Sequence, residues 1–215
     1  YHYAYWLTFG RNFGEIIRQY PTITIPDDHD VGQPNLWGAG GKKSIKPTGS
    51  DGGYVKPVEY VQEVQRAQTS HLPDPYDPTP AEQGIGVYYT SLNWGGVSFA
   101  ILEDRKFKSG PEGLVRPLGP RDDHVTQPDY EPEELDPPEA VLLGDRQIKF
   151  LRDWAADWRD AEMKCVLSQT SFCCLQTACG KHDYRIYADM DTNGWPHTGR
   201  NQAIMEMRKA FAIHV

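Results

Sequence analysis

Apolar and polar positions along this chain switch between two periods, and the switches mark its elements. From Phe9 to Tyr20 the residues Phe13, Ile16, Ile17 and Tyr20 fall on one stripe of a helical repeat, which predicts a short amphipathic helix. The β-branched run Thr22-Ile23-Thr24-Ile25, closed by Pro26, predicts a strand. Residues 32–53 are Gly-rich, polar and without a period, and read as loop. Pro57 to Thr69 carries Val58, Val61 and Val64 along a helix, with Pro57 suited to its first turn. The prolines from His71 to Pro80 force extended or turning chain.

Val87–Leu92 and Val97–Leu102 flank Asn93-Trp94-Gly95-Gly96, which predicts a hairpin with Val97, Phe99 and Ile101 on one face. Residues 110–138 are acidic and Pro-rich and read as connection. Asp145–Trp158 places Leu151, Trp154, Ala155 and Trp158 at helical spacing. Lys164–Leu167 predicts a strand running into Ser168-Gln169-Thr170. Arg200–Ala210 predicts a helix burying Ala203, Ile204 and Met207, followed by a strand at 211–215. Helices alternating with strands describe an α/β layer architecture. Ligand sites in such folds gather beyond the carboxyl ends of strands. Three polar groups hold that position: Asp27 to Asp30, Glu103 to Lys106, and Ser168 to Thr170.

Composition narrows the classes. With 215 residues, one domain with a sizeable core is expected. A formal net charge of −8 argues against a nucleic-acid backbone as main partner and suits a protein that recruits cations. No apolar run approaches the roughly 18 residues of a membrane span, and no secretory leader is visible. Both ends read as cuts through a larger domain, because the chain starts on Tyr1 and stops in an alternating segment. The four cysteines form no Cys-x-x-Cys pair. Cys165 reads as a small core residue, and a Cys174–Cys179 disulfide stays open.

The tetrad Asp27-Asp28-His29-Asp30 carries the clearest chemistry. Carboxylates about 4 Å apart repel by roughly 4 kcal/mol at an effective dielectric of 20, so a partly buried cluster needs cations. Two readings stand: a helix cap or solvated loop, or a divalent metal site with an acid/base histidine beside it. Val31-Gly32-Gln33-Pro34 is a poor helix start and weakens the cap. Carboxylates suit Ca²⁺, Mg²⁺ and Mn²⁺, and an added imidazole admits Fe and Zn. Other motifs fail. Gly41-Lys42 lacks both the first glycine and the Ser/Thr of a phosphate loop. Asp189-Met190-Asp191-Thr192-Asn193-Gly194 begins like a calcium loop, but Arg200 stands where its glutamate belongs, so an Asx-type turn is expected. No nucleophile elbow surrounds Ser168.

Several stretches together resemble the PhoD-like alkaline phosphatases of the metallophosphatase superfamily. They are Ile25–Val31, Val97–Arg105, Leu143–Gln147, Phe150–Trp154, Val166–Thr170 and Asn193–Pro196, in the family's order across most of the chain. The resemblance implies a four-layer α/β/β/α core, here incomplete at both ends. It also implies one partial catalytic domain over 1–215, with loop-rich insertions at 32–85 and 110–138. Implied too is phosphoester hydrolysis at two metal ions, drawn from Ca²⁺, Fe, Mn²⁺ or Zn²⁺, and an exported location. On that alignment Asp27 and Asp28 are metal ligands, His29 contacts phosphate, and Asp30 orients His29. Asn35, Arg105, Ser168, Gln169 and Trp195 are the candidate substrate contacts. The superfamily's first and last metal-ligand motifs have no counterpart here, so this segment alone is expected to be inactive. The competing class is a non-catalytic, Ca²⁺-stabilised acidic module, and nuclease-type diester cleavage is a third reading.

Overall fold

The computed structural model describes residues 1–32, 38–172, 185–192 and 194–212. Asn35, Cys173, Cys174, Cys179 and Asn193 lie outside them, as does the disulfide question.

The architecture is α/β. Strand β1 (Thr90–Trp94) and strand β2 (Val97–Ile101) form the expected hairpin, with Trp94 opposite Val97. Its two-residue turn, Gly95-Gly96, has positive φ at both positions, the conformation that matches strand twist and that glycine adopts freely. Among the described residues three further strands follow at a distance along the chain. Strand β3 (His124–Val125) pairs antiparallel with β5 (Ala188–Asp189), while β4 (Met163–Leu167) lies parallel to β2 with Ile101 opposite Leu167. The amide of Leu102 donates to Leu167 O at 2.9 Å and extends the parallel ladder by one step. The parallel pair therefore ends side by side, and the residues following both strands meet.

The N-terminal segment is helical as α1 (His2–Tyr5), a π turn at Trp6–Gly10 and α2 (Arg11–Ile17). The predicted stripe exists but is not buried: Phe13, Ile16 and Tyr20 are exposed. The predicted strand at Thr22–Ile25 does not form. No backbone among the described residues pairs with it, and Thr24 instead donates its hydroxyl to Gln68 O, on helix α3 (Val58–Thr69). Helix α3 buries Val61 and Val64 against Val31, Tyr54 and Ile85.

The short helix α4 (Asp104–Phe107) turns directly out of β2. Helix α5 (Gly144–Ala156) covers the sheet, burying Ile148, Leu151, Trp154 and Ala155 against Ala100 and Leu102. Val97, Phe99 and Ile101 share one strand face as expected, and it is the opposite face that meets α5. Ser98 and Ala100 turn to α5 and are buried, while Val97 and Phe99 are half-buried on the other side. Small residues let the helix approach, and Trp154 Nε1 donates to Ser98 Oγ at 3.0 Å. Helix α6 (His197–Ala212) packs on α5 through Ala203 and Met207, whereas Ile204 stays partly exposed. It begins earlier than expected and continues through 211–212, so the predicted final strand is helix there. Cys165 is a free, half-buried thiol on β4.

Candidate functional site

The tetrad closes into a single 3₁₀ turn at His29–Val31, stopped by Gly32 at φ 74°. No side chain of the tetrad caps a helix there. The four residues diverge. Asp28 is buried, at 3% exposure, whereas the His29 side chain is 77% exposed. Asp27 accepts the amide of Asp28. The Asp30 carboxylate accepts the Tyr1 hydroxyl at 3.1 Å and the Asp27 amide at 2.9 Å. The carboxylate beside His29 is that of Asp28, 3.7 Å from Nε2, not that of Asp30.

Parallel strands β2 and β4 bring the second half of the site to the tetrad. Asp104, fully buried, accepts the amides of Gln169 at 3.2 Å and Thr170 at 2.8 Å, locking the loop after β4 to the helix after β2. The next residue, Arg105, points its guanidinium between carboxylates. It lies 3.7 Å from Asp28 Oδ1, pairs with Asp191, and donates through Nε to Gln169 Oε1. Asp28, Arg105 and Gln169 thus meet, with Asp191 added. Ser168 is close by but turns its hydroxyl to Thr170 O at 3.0 Å. Trp195 is buried among Val115, Leu118, Val125, Leu135 and Met190, and its indole N–H donates to Leu135 O.

The electrostatics follow from burial. Burial, then the hydrogen bond with Asp27 and that residue's charge, pushes the Asp28 carboxyl up to about 8, against the pull of Arg105. Asp27 is held below the usual carboxylate range despite its own burial, through its hydrogen bonds from Asp28 and the Arg105 charge. Behind Arg105, Lys106 and Glu103 form a buried ion pair, with Lys106 also donating to Gln65 Oε1 at 2.6 Å. Burial draws the lysine pKa down and the glutamate pKa up, and their mutual attraction opposes both. Lys108 is fully buried, donates to Asp191 O at 2.6 Å, and lies 6.0 Å over the Trp195 ring. Burial, then the nearby Arg105 charge, lowers it to about 8.

A likeness becomes visible at this level. No family model matches the sequence, and the curated proteins give no match. The fold is similar to that of PhoD. That solved structure superposes with a TM-score of 0.51 at 20% identity, over 86% of this chain. The chain spans 31% of the length of the PhoD chain.

A second cluster lies on β3 and β5. Asp123, His124 and Asp189 are all buried, and one ligand atom from each lies within 4.8 Å of the others. This separation is one that a single cation with bonds of about 2.0–2.6 Å can close. The Asp189 carboxylate accepts the amides of Asp191 at 2.8 Å and Thr192 at 3.4 Å, the expected Asx turn. Sequence reasoning passed over Asp123 and His124 as part of a loop. The signal was there: Asp122-Asp123-His124 repeats the order Asp-Asp-His of the tetrad.

Proposed function

We propose that this chain forms part of a metal-dependent phosphoester hydrolase, with Asp27 and Asp28 holding metal and His29 facing substrate. The observation that carries the reading is the state of Asp28: a buried carboxylate pushed up to about 8, beside a second carboxylate and an arginine already shared with Asp191. Such a group lacks positive charge. A divalent cation at the Asp27–Asp28 edge would supply it and release the proton, so the donor set fits a hard or borderline metal. The PhoD-like fold supports the same reading.

Bound metal would supply Lewis-acid polarisation of the phosphoryl group and activation of the attacking water. The chain's own residues do the rest. Arg105 is committed to Asp28, Asp191 and Gln169, so it orients the Asp28 carboxylate rather than reaching out for phosphate. Asp104 fixes the Gln169–Thr170 backbone against that arginine. His29, exposed and 3.7 Å from Asp28, would hydrogen-bond a phosphoryl oxygen or protonate the leaving oxygen.

The test is hydrolysis of a chromogenic phosphate monoester and diester by the full-length protein that carries this chain, with divalent metal and after chelation. Metal-dependent turnover that falls with Asp28→Asn supports the reading. Absence of turnover with Ca²⁺, Mn²⁺, Fe²⁺ and Zn²⁺ alike overturns it.

A further inference from the structure

We infer that Asp123, His124 and Asp189 bind one divalent cation of the borderline class, such as Mn²⁺, Fe²⁺ or Zn²⁺, at a site separate from the Asp27–Asp28 edge. Four observations lead there. The cluster is not a surface acidic patch: Asp123 is 2% exposed, His124 7% and Asp189 4%. The strand register sets His124 directly opposite Asp189, so two donors of different chemistry arise from one backbone pair. Imidazole mixed with carboxylate favours transition-type divalent ions over Ca²⁺ and Mg²⁺. Finally, Thr192 Oγ1, on the turn built by Asp189, is buried without a hydrogen-bond partner among the described residues.

The charge balance points the same way. Two buried carboxylates share the cluster. Arg121 reaches Asp123 with two hydrogen bonds of 3.1 Å, but its own side chain is half exposed, so it balances one of the two charges from the solvent side. His124 Nε2 stands 3.8 Å from Asp123 Oδ2, close enough for both to ligate one ion after a small adjustment.

The consequence lies in the turn that follows. A ladder of two residue pairs, β3 with β5, is marginal by itself. An ion tying Asp123 and His124 to Asp189 would clamp it, and with it Asp191, the carboxylate that pairs with Arg105. The ion would therefore position the partner of Arg105 without touching substrate.

The experiment uses the full-length protein carrying Asp28→Asn, which removes the buried carboxylate of the other candidate site, after exhaustive chelation. Co²⁺ is titrated in as a spectroscopic probe, with Mn²⁺ and Zn²⁺ by calorimetry. The expected result is one equivalent bound with visible Co²⁺ bands of a nitrogen-containing site. Adding His124→Gln, a neutral change close in size, should weaken that equivalent more than about 100-fold, beyond the effect of losing a group that only hydrogen-bonds a ligand. Asp189→Asn should act alike, and if it fails to fold, His124→Gln decides. Identical titrations with and without His124→Gln, or no Co²⁺ bound in the Asp28→Asn protein, overturn the inference. Loss of phosphoester hydrolysis bears on the proposed function alone, because the titration reads binding without turnover.

Discussion

Arg105 Nη2 lies 3.7 Å from Asp28 Oδ1, and both side chains are more than nine-tenths buried. The same guanidinium pairs with Asp191, so one cation serves two carboxylates from distant parts of the chain. Removing it takes the paired cation from the largely buried Asp191 carboxylate. Arg105→Met should destabilise the protein by about 3–5 kcal/mol, the range for breaking a buried pair from one side. Arg105→Lys keeps the charge but loses the fork that spans both partners, and should recover only part of the loss. Urea unfolding of the three proteins at one pH gives the comparison, and equal midpoints would contradict the assignment.

The raised Asp28 carboxyl makes stability depend on pH in a definite direction. Its folded value, about 8, lies above the unfolded value of about 3.9, so the folded state holds a proton that the unfolded state has released. Its contribution is fully present below about pH 4 and is lost as pH rises through about 8. In chelated protein the slope from this group should approach about −1.4 kcal/mol per pH unit in the middle of that window. Asp28→Asn should flatten it. Saturating divalent metal should flatten it too, because the metal replaces the proton. Denaturant midpoints measured at intervals from pH 5 to 8 provide the check.

The parts legible in the sequence are those with a local cause. The hairpin follows from Gly95-Gly96 between two apolar runs, and the Asx turn from Asp189 followed by polar residues. Helices α3 and α5 follow from Val61 with Val64 and from Leu151 with Trp154. What failed had no local cause. Thr22–Ile25 has strand-forming residues, yet strand formation requires a partner edge, and none meets it among the described residues. The Phe13–Ile16 stripe has the right spacing, but nothing among the described residues covers it. The β3–β5 ladder is too short to show alternation, so Asp123 and His124 could not be placed beside Asp189. In the tetrad, residue types suggested a metal corner, but the pairing of Asp28 with Arg105 depends on the parallel β2–β4 register, which only the fold sets.

His29 offers a separation of chemistry from stability. Its ring is 77% exposed and makes its nearest charged approach to Asp28 at 3.7 Å, too long for a strong pair. His29→Ala should therefore leave the unfolding midpoint within about 0.5 kcal/mol of wild type, as for other exposed substitutions. If the imidazole handles the leaving-group proton, metal-supported hydrolysis by the full-length protein should fall about 10²–10⁴-fold. The loss should be larger for a poor leaving group than for a nitrophenolate, which needs little protonation. A uniform loss across leaving groups would instead assign His29 to holding the phosphoryl oxygen, and no loss would remove it from the site.

The loop after the tetrad braces the arginine from behind, and two glycines in it separate space from backbone conformation. Gly38 has φ 63°, and a Cβ there would lie 2.6 Å from Arg105 O, against the backbone of α4. Ala39 N donates to Lys108 O and Gly40 N to Lys106 O, at 3.0 and 2.9 Å, so the loop cannot swing away without giving up both bonds. Gly40 has φ 78° but open space around its Cβ position. Gly40→Ala should cost about 1–2 kcal/mol, the left-handed conformation alone. Gly38→Ala adds the collision, about 1–3 kcal/mol more, and shifts the Arg105 backbone. The distinguishing readout is metal affinity at the Asp27–Asp28 edge. It should fall in Gly38→Ala, where the arginine that orients Asp28 is displaced, and stay at the wild-type value in Gly40→Ala despite its lower stability. Equal affinities in the two variants would mean that Arg105 does not need this brace.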